Sequence, residues 1–343
     1  MDSKIHTVSA SPNIAFIKYW GKRDHKLTLP FNSSVSMTLE NPMLKTITSV
    51  KLSEKMKEDE IYINGNKIDS KDQRFNYMLG VIEQMRSKAK SDSKALVVSK
   101  NMFPTGSGLA SSASGAAALS YALNSAFGLD MEPRELSKIA RQVSGSGSRS
   151  IFGGFVVWHK GSIADGSDSY SEQIAPKSHW DELIDIICMV DSSRKKVSST
   201  EGHELTARTS ALFKSRIDFA ENGAISSIQA IKSKDFQSLA QNIMRDSNNM
   251  HAVMLDSWPP IIYLNSSSLQ SISAISELNE SEGKYVAAYT FDAGPNPHII
   301  TTKANEHKVI EALDSVEGIK DKITGVVGDG PSMLDESESL IKD

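Results

Sequence analysis

Residues 101–128 read NMFPTGSGLASSASGAAALSYALNSAFG, and no other stretch restricts the fold as strongly. Glycines and hydroxyl residues lead into a helix, Leu109 to Phe127, whose side chains are mostly small. Ala110, Ala113, Gly115 and Ala116 let that helix pack close to its neighbours and to a ligand. Backbone N–H groups at a helix start point at whatever lies before them, and the helix dipole adds positive potential there. Glycine lets the main chain approach an anion closely. The loop is not a Walker A motif, because no Gly-Lys-Ser/Thr follows, and Ser111 breaks a G-x-G-x-x-G reading. The plain alternative is an ordinary Gly/Ser turn opening a helix.

Around this unit the chain alternates in character. KTITSVKLS (45–53) and EIYINGNKI (60–68) have period-two patterning, with a hairpin turn at Asn64-Gly65. Residues 74–90 put Tyr77, Met78, Val81, Ile82 and Met85 on one helical face. A helix is expected over 131–143, with Pro133 in its first turn, and a strand over 94–101 enters the quoted loop. Further strands are expected at 151–161, 184–191, 284–294 and 297–303. Further helices are expected near 203–220, 224–232, 235–246 and 305–316. The absence of a regular βαβ alternation disfavours a Rossmann sheet and predicts an α+β fold with mostly antiparallel strands. The Ser-rich DSSRKKVSSTEG divides the 343 residues into 1–190 and 191–343, two domains of ordinary size.

Charge narrows the function classes. Lys and Arg number 38 against 42 Asp and Glu, a net charge of −4, which argues against a nucleic-acid or membrane-surface protein but leaves room for a local anion site. The one cysteine, Cys188, lies in the apolar run LIDIICMV and reads as a core thiol. The first residues lack the apolar stretch of a signal peptide, and no apolar run approaches ~18 residues, so a cytoplasmic location is expected.

Three more stretches carry chemistry. SPNIAFIKYWGKRD (11–24) crowds Lys18, Lys22 and Arg23 around Tyr19 and Trp20, a set suited to phosphate oxygens. SGSGSRSIFGGF (144–155) sets hydroxyls and bare backbone around Arg149, a fork-shaped donor for carboxylate or phosphate, where a flexible linker is the bland alternative. YTFDAGPN (289–296) places Asp292 where a strand meets a turn. Beside cations, that carboxylate would stay ionised and could take a hydroxyl proton. Two phosphate-suited loops, a basic turn and a lone carboxylate together describe phosphoryl transfer from a nucleotide to a small anionic alcohol.

The motifs NIAxxKYWGKRD, LPxNSSxSxTL, FPTxxGLASSASG, SRSIxGGF and YTFDAGPN, spanning residues 13–296, resemble the diphosphomevalonate decarboxylase family of the GHMP kinase superfamily. The resemblance implies a two-domain α+β, GHMP-kinase-like fold, with a ribosomal-protein-like N-terminal domain, a ferredoxin-like C-terminal domain and a cleft between. It implies ATP and Mg²⁺, 3-phosphorylation of mevalonate 5-diphosphate, loss of CO₂, and a homodimer.

By the same resemblance Asp292 is the base on the 3-hydroxyl, Arg149 holds the substrate carboxylate and orients Asp292, and Lys18 assists there. Tyr19, Trp20, Gly21, Lys22, Arg74, Ser144, Gly145, Ser146, Gly147, Ser148, Thr200 and His203 surround the substrate. Ser99, Asn101, Pro104, Gly106, Ser107, Gly108, Leu109, Ala110, Ser111 and Ser112 hold the nucleotide, with Ser112 beside Mg²⁺. The chain departs from the family at Met102, at Gly106 and Ser107, and at His203, where a methionine is usual. Relatives that decarboxylate mevalonate 3,5-bisphosphate without ATP, or mevalonate 5-phosphate, are the alternative readings.

Overall fold

The computed structural model describes residues 4–103, 111–190 and 197–342. Its first part carries strands β1 (His6–Ala10), β2 (Asn13–Ile17), β3 (Lys22–Asp24), β4 (Leu29–Pro30), β5 (Ser34–Glu40), β6 (Thr46–Ser53), β7 (Glu60–Ile63) and β8 (Asn66–Lys67). Helix α1 (Gln73–Ala89), strand β9 (Lys94–Asn101) and helices α2 (Ser112–Ala126) and α3 (Pro133–Val143) follow, then a 3-10 helix (Gly145–Ile151) and strands β10 (Phe155–Trp158), β11 (Ser171–Ala175) and β12 (Leu183–Val190). The rest comprises α4 (Ser199–Thr209), α5 (Phe213–Ser233), α6 (Phe236–Leu255), α7 (Ser266–Ser281), β13 (Ala287–Thr290), β14 (His298–Thr302), α8 (Glu306–Asp314), β15 (Ile319–Val327) and β16 (Ser332–Met333).

The α+β, mainly antiparallel expectation holds. One sheet runs β16-β1-β6-β9-β7-β8, with the pair β7–β9 parallel. The Asn64-Gly65 turn joins β7 to β8, and both residues have positive φ (51° and 81°), as a tight two-residue hairpin requires. Small residues of α2 pack with Val8, Val50 and Val97 of this sheet and with Met78, Val81, Ile82 and Met85 of α1. The second sheet runs β11-β10-β5-β15-β12-β14-β13, with β2 also paired to β5. Strand β12 is apolar apart from Asp185 because both faces are covered: Leu183 and Ile187 join the core beneath α5 and α6, while Ile184, Ile186 and Cys188 face the core of α7 and α8. Burial pushes the Cys188 thiol up to about 12, which suits an inert core residue.

The sheets tie the halves together. Glu40 and Leu39 of β5 pair with Val326 and Val327 of β15, and β16 returns to β1. Three expectations changed. The helix expected near 203–220 is two, α4 and α5, separated at residues 210–212. The break expected between helices at 220–224 is absent, because Gly223 lies inside α5, where a Cβ would stand 3.1 Å from Ile17 Cδ1. The strand expected from 151 begins at Phe155, and the Ser/Gly run before it is a 3-10 helix rather than a linker.

That 3-10 helix is wedged against α2. A Cβ at Gly147 would lie 2.5 Å from Ala116 Cβ. Gly147→Ala is therefore expected to lower stability by about 1–3 kcal/mol through overpacking, read as a lower denaturant midpoint at unchanged m-value.

Candidate active site

A cavity of about 380 Å³ is lined by β2 and the turn after it, the 3-10 helix, the starts of α1, α2 and α4, and the β13–β14 turn. Along β2, Asn13 and Ala15 reach this wall at the period of two expected of a strand. Continued, that period would bring Ile17 to the cavity. A register shift against β5 between Ala15 and Ile17 turns Ile17 into the core and brings Lys18 to the wall instead.

Lys18 is then held by its backbone. Its N–H donates to Asp246 Oδ2 at 2.7 Å, and its carbonyl accepts from Arg216 Nη2 at 3.2 Å and Asn32 Nδ2 at 3.0 Å. Arg216 and Asp246, from α5 and α6, form an ion pair at 2.6 Å with both side chains fully buried. So held, the buried Lys18 places Nζ 2.8 Å from Asp292 Oδ1, while Asp292 stays half-exposed to the cleft.

Partial loss of water inside the cleft pushes the Asp292 carboxyl up. The charges of Lys18, His298 and Arg149 and the Lys18 hydrogen bond outweigh that and bring its pKa down to about 2. Arg149 is buried, and burial lowers its pKa to about 10 against the opposing pull of Asp292 and Tyr19, so it stays cationic at neutral pH. Its Nε and Nη2 donate to Asn13 Oδ1 at 3.1 and 2.9 Å, and Nη1 donates to Ser34 Oγ at 2.6 Å. Three of five guanidinium N–H groups are thus used on neutral acceptors, leaving two for a ligand.

Opposite lies an aromatic wall. Tyr19 Oη and Trp20 Nε1 are buried with no partner among the described residues, and both residues line the cavity. Buried polar atoms of this kind call for a ligand or water. His203 stacks on Trp20 at 4.2 Å between centroids and accepts the Gly21 N–H at Nδ1, 2.7 Å away. Lys22 borders the same space, its pKa lowered by burial, with no carboxylate paired to it among the described residues.

The arrangement puts in one cleft an ionised carboxylate paired to Lys18 and two further cations, Arg149 and Lys22, that pair with no acid among the described residues. Comparison with known proteins agrees with it. Residues 10–171 match the diphosphomevalonate decarboxylase-like N-terminal domain, and residues 185–340 match the mevalonate 5-diphosphate decarboxylase C-terminal domain. The chain belongs to the diphosphomevalonate decarboxylase family. Diphosphomevalonate decarboxylase of Candida albicans is 42% identical over 363 residues, covering 98% of this chain and 99% of the relative. The mevalonate diphosphate decarboxylase of Trypanosoma brucei superposes with a TM-score of 0.91 at 33% identity, over 99% of this chain and 100% of that one. Another solved structure, described as MDDEF in complex with MVAPP, AMPPCP and magnesium, has a TM-score of 0.86 at 34% identity, over 96% and 99%.

Several expected site residues share the cavity wall: Lys18, Tyr19, Trp20, Lys22, Arg74, Ser112, Ser144, Gly145, Ser146, Arg149, Thr200, His203 and Asp292. Others do not. A 3-10 helix eclipses positions three apart, so Ser146 and Arg149 share the cavity side, whereas Ser148 turns inward to Ser171 Oγ at 2.7 Å. Gly147 packs on α2, and Gly21 contributes only its N–H to His203. Ser99 and Asn101 bond to Thr48 and Thr46 across the β6–β9 ladder, away from this wall. Arg23, third of the clustered cations, turns to the carbonyls of Lys160 and Ile163. Arg74 reaches the cavity, but its guanidinium forks onto Asp72, with Nη2 at 2.6 Å. Arg149 makes no hydrogen bond to Asp292; Lys18 holds that carboxylate instead. Pro104, Gly106, Ser107, Gly108, Leu109 and Ala110 lie outside the described residues.

Sequence reading missed Asn13 and Ser34, which orient Arg149, and the Arg216–Asp246 clamp. It also missed Asp185, whose Oδ2 lies 2.7 Å from Nδ1 of the cavity residue His298. A polar residue opening an apolar strand was the available signal for Asn13; Asp185 inside LIDIICMV was another.

Two outcomes follow from these geometries. Asp246→Ala leaves Arg216 buried without its partner and is expected to cost about 3–5 kcal/mol of stability, measured by urea unfolding. Burial, aided by the charges of Lys18 and Arg216, holds His251 at about 4. An unfolded histidine takes up its proton near 6.5, so between about pH 6.5 and 4 the unfolded chain binds a proton that the fold refuses. Stability should fall as pH drops through that window, by on the order of 3 kcal/mol from His251. Melting curves of His251→Asn should depend less steeply on pH than those of the wild type.

Proposed function

We propose that this cleft performs ATP-dependent decarboxylation of mevalonate 5-diphosphate to isopentenyl diphosphate, with Asp292 as base, Arg149 at the substrate carboxylate and Lys18 fixing Asp292. The observation that carries the reading is the ionised Asp292, held 2.8 Å from Lys18 Nζ in the cavity that Arg149 also lines. A tertiary 3-hydroxyl is a weak nucleophile. An aspartate already ionised and positioned accepts its proton as the oxygen attacks. Bound ATP·Mg²⁺ would supply the γ-phosphoryl group, its bond to the ADP oxygen breaking as the 3-oxygen bonds to phosphorus, which turns the 3-oxygen into a leaving group. The C3–O bond then breaks with its electron pair going to phosphate. The electrons of the bond to the carboxylate form the new double bond, and CO₂ departs.

The described residues fit a nucleotide at the start of α2. Ser112 borders the cavity there, and the N-cap Ser111 makes no side-chain cap bond, so the N-terminal N–H groups are not satisfied by the cap. The described residues contain no cluster of three acidic, His or Cys side chains for a metal. Magnesium commonly relies on phosphate oxygens and water, and the family resemblance puts Ser112 beside it. No described helix is long and apolar enough to cross a membrane. The family resemblance supports a cytoplasmic homodimer, with domains 1–190 and 191–343.

The test offers mevalonate 5-phosphate, the 5-diphosphate and the 3,5-bisphosphate, each with and without ATP·Mg²⁺. Release of CO₂ from the 5-diphosphate only with ATP is expected, and ATP-independent release from the bisphosphate overturns the reading. Asp292→Asn should lower kcat by about 10²–10⁴-fold in the same assay.

A further inference from the structure

We infer that His203 donates its Nε2–H to the diphosphate end of the substrate and governs how tightly substrate is held rather than how fast it reacts. This rests on the functional reading above. The proton's place follows from the hydrogen bond behind the ring. A main-chain N–H can only donate, so Nδ1, which receives the Gly21 N–H at 2.7 Å, carries no proton, and the neutral ring bears its hydrogen on Nε2. The ring cannot easily turn. It stacks on Trp20 at 4.2 Å and 28° and lies 4.5 Å and 34° from Tyr19, with the residue only 7% exposed. Nε2 has no hydrogen-bond partner among the described residues, and His203 borders the cavity. Burial, then the charges of Lys22 and His25, hold its pKa well below 6.5, so the ring stays neutral.

Its neighbours on the cavity wall identify what it meets. Tyr19 lies 4.5 Å from the ring, the charge of Lys22 acts on it, and Ser199 and Thr200 precede it by one turn of α4; all four line the cavity. Asp292 and Arg149 feel one another's charge, whereas the charges acting on His203 are Lys22 and His25. Mevalonate 5-diphosphate carries its carboxylate and 3-hydroxyl at one end and its diphosphate at the other. With the reacting end at Asp292 and Arg149, the diphosphate falls to Lys22 and His203. The diphosphate's charge does not change during the reaction, so a hydrogen bond to it stabilises ground state and transition state alike and appears in KM.

Two variants separate this role from a structural one. In His203→Asn the amide oxygen can still accept the Gly21 N–H, but the shorter side chain carries no donor to the Nε2 position. In His203→Gln the amide nitrogen reaches that position. Loss of one hydrogen bond to a charged group predicts that His203→Asn raises KM for mevalonate 5-diphosphate by about tenfold or more, with kcat within about twofold. His203→Gln should keep KM within about threefold. Calorimetric Kd values for mevalonate 5-diphosphate, taken on protein shown to be folded by circular dichroism, should rank the variants in the same order. The inference is overturned if Asn retains the wild-type KM, if Gln loses as much as Asn, or if kcat falls while KM holds. A wild-type protein that neither binds nor turns over mevalonate 5-diphosphate overturns the functional reading itself, and this inference with it.

Discussion

The ion pair of Arg216 and Asp246 determines where the chemistry can sit. Both groups are fully buried, and the attraction of such a pair scarcely repays the loss of water. Its consequence is geometric. Asp246 grips the N–H of Lys18 and Arg216 its carbonyl, so the end of β2 is fastened to two helices that follow it by some 200 residues in the chain. A strand end free to shift by an ångström would move Lys18 Nζ out of hydrogen-bond reach of Asp292, and charge-assisted bonds weaken steeply with such a displacement. The same constraint explains the bulge in β2: without it, Ile17 would occupy the place that the clamp holds for Lys18.

Around that fixed point the charges are unevenly matched. Lys18, Lys22 and Arg149 line the cavity, where the lining carries one carboxylate among the described residues, Asp292, acted on by Lys18 and Arg149. His298 adds to the field that keeps Asp292 ionised, and is itself tied to Asp185, whose second oxygen is buried without a partner among the described residues. An excess of cations inside low-dielectric walls attracts a polyanion and draws it inward. The weakly acidic protein as a whole gives no hint of this, because the excess is local.

What the sequence made legible was local chemistry. Alternation marked β6 and β7, the Asn-Gly pair marked the β7–β8 turn, and small residues marked α2 as a helix made for close approach. The motifs containing Lys18, Arg149 and Asp292 were readable because each crowds charge or glycine into a few residues. Illegible were partners brought from afar. Asp246 lies in a helix with ordinary amphipathic spacing, and nothing in that spacing says it reaches Lys18. Ser148 looked equal to Ser146 in the repeating Ser-Gly run; the three-residue period of a 3-10 helix, invisible in composition, separates them. Arg23 looked equal to Lys22, but alternation along β3 and the carbonyls of residues 160 and 163 decide otherwise.

Arg149 shows why its supporting residues are neutral. A carboxylate partner would fix the guanidinium equally well, but it would cancel the charge and occupy the fork that a substrate carboxylate needs. Asn13 and Ser34 fix its orientation without doing either, and Asn13 is itself anchored through Nδ2 to Ser146 O and Ser150 Oγ at 3.0 and 2.8 Å. The cost is a buried cation whose pKa falls to about 10. In the proposed reaction, the two remaining N–H groups on this fork would orient a carboxylate that must later leave as CO₂. A second cation turned on the same carboxylate would stabilise the ground state more than the transition state, in which the negative charge is passing into the breaking bond, and would slow the step it positions.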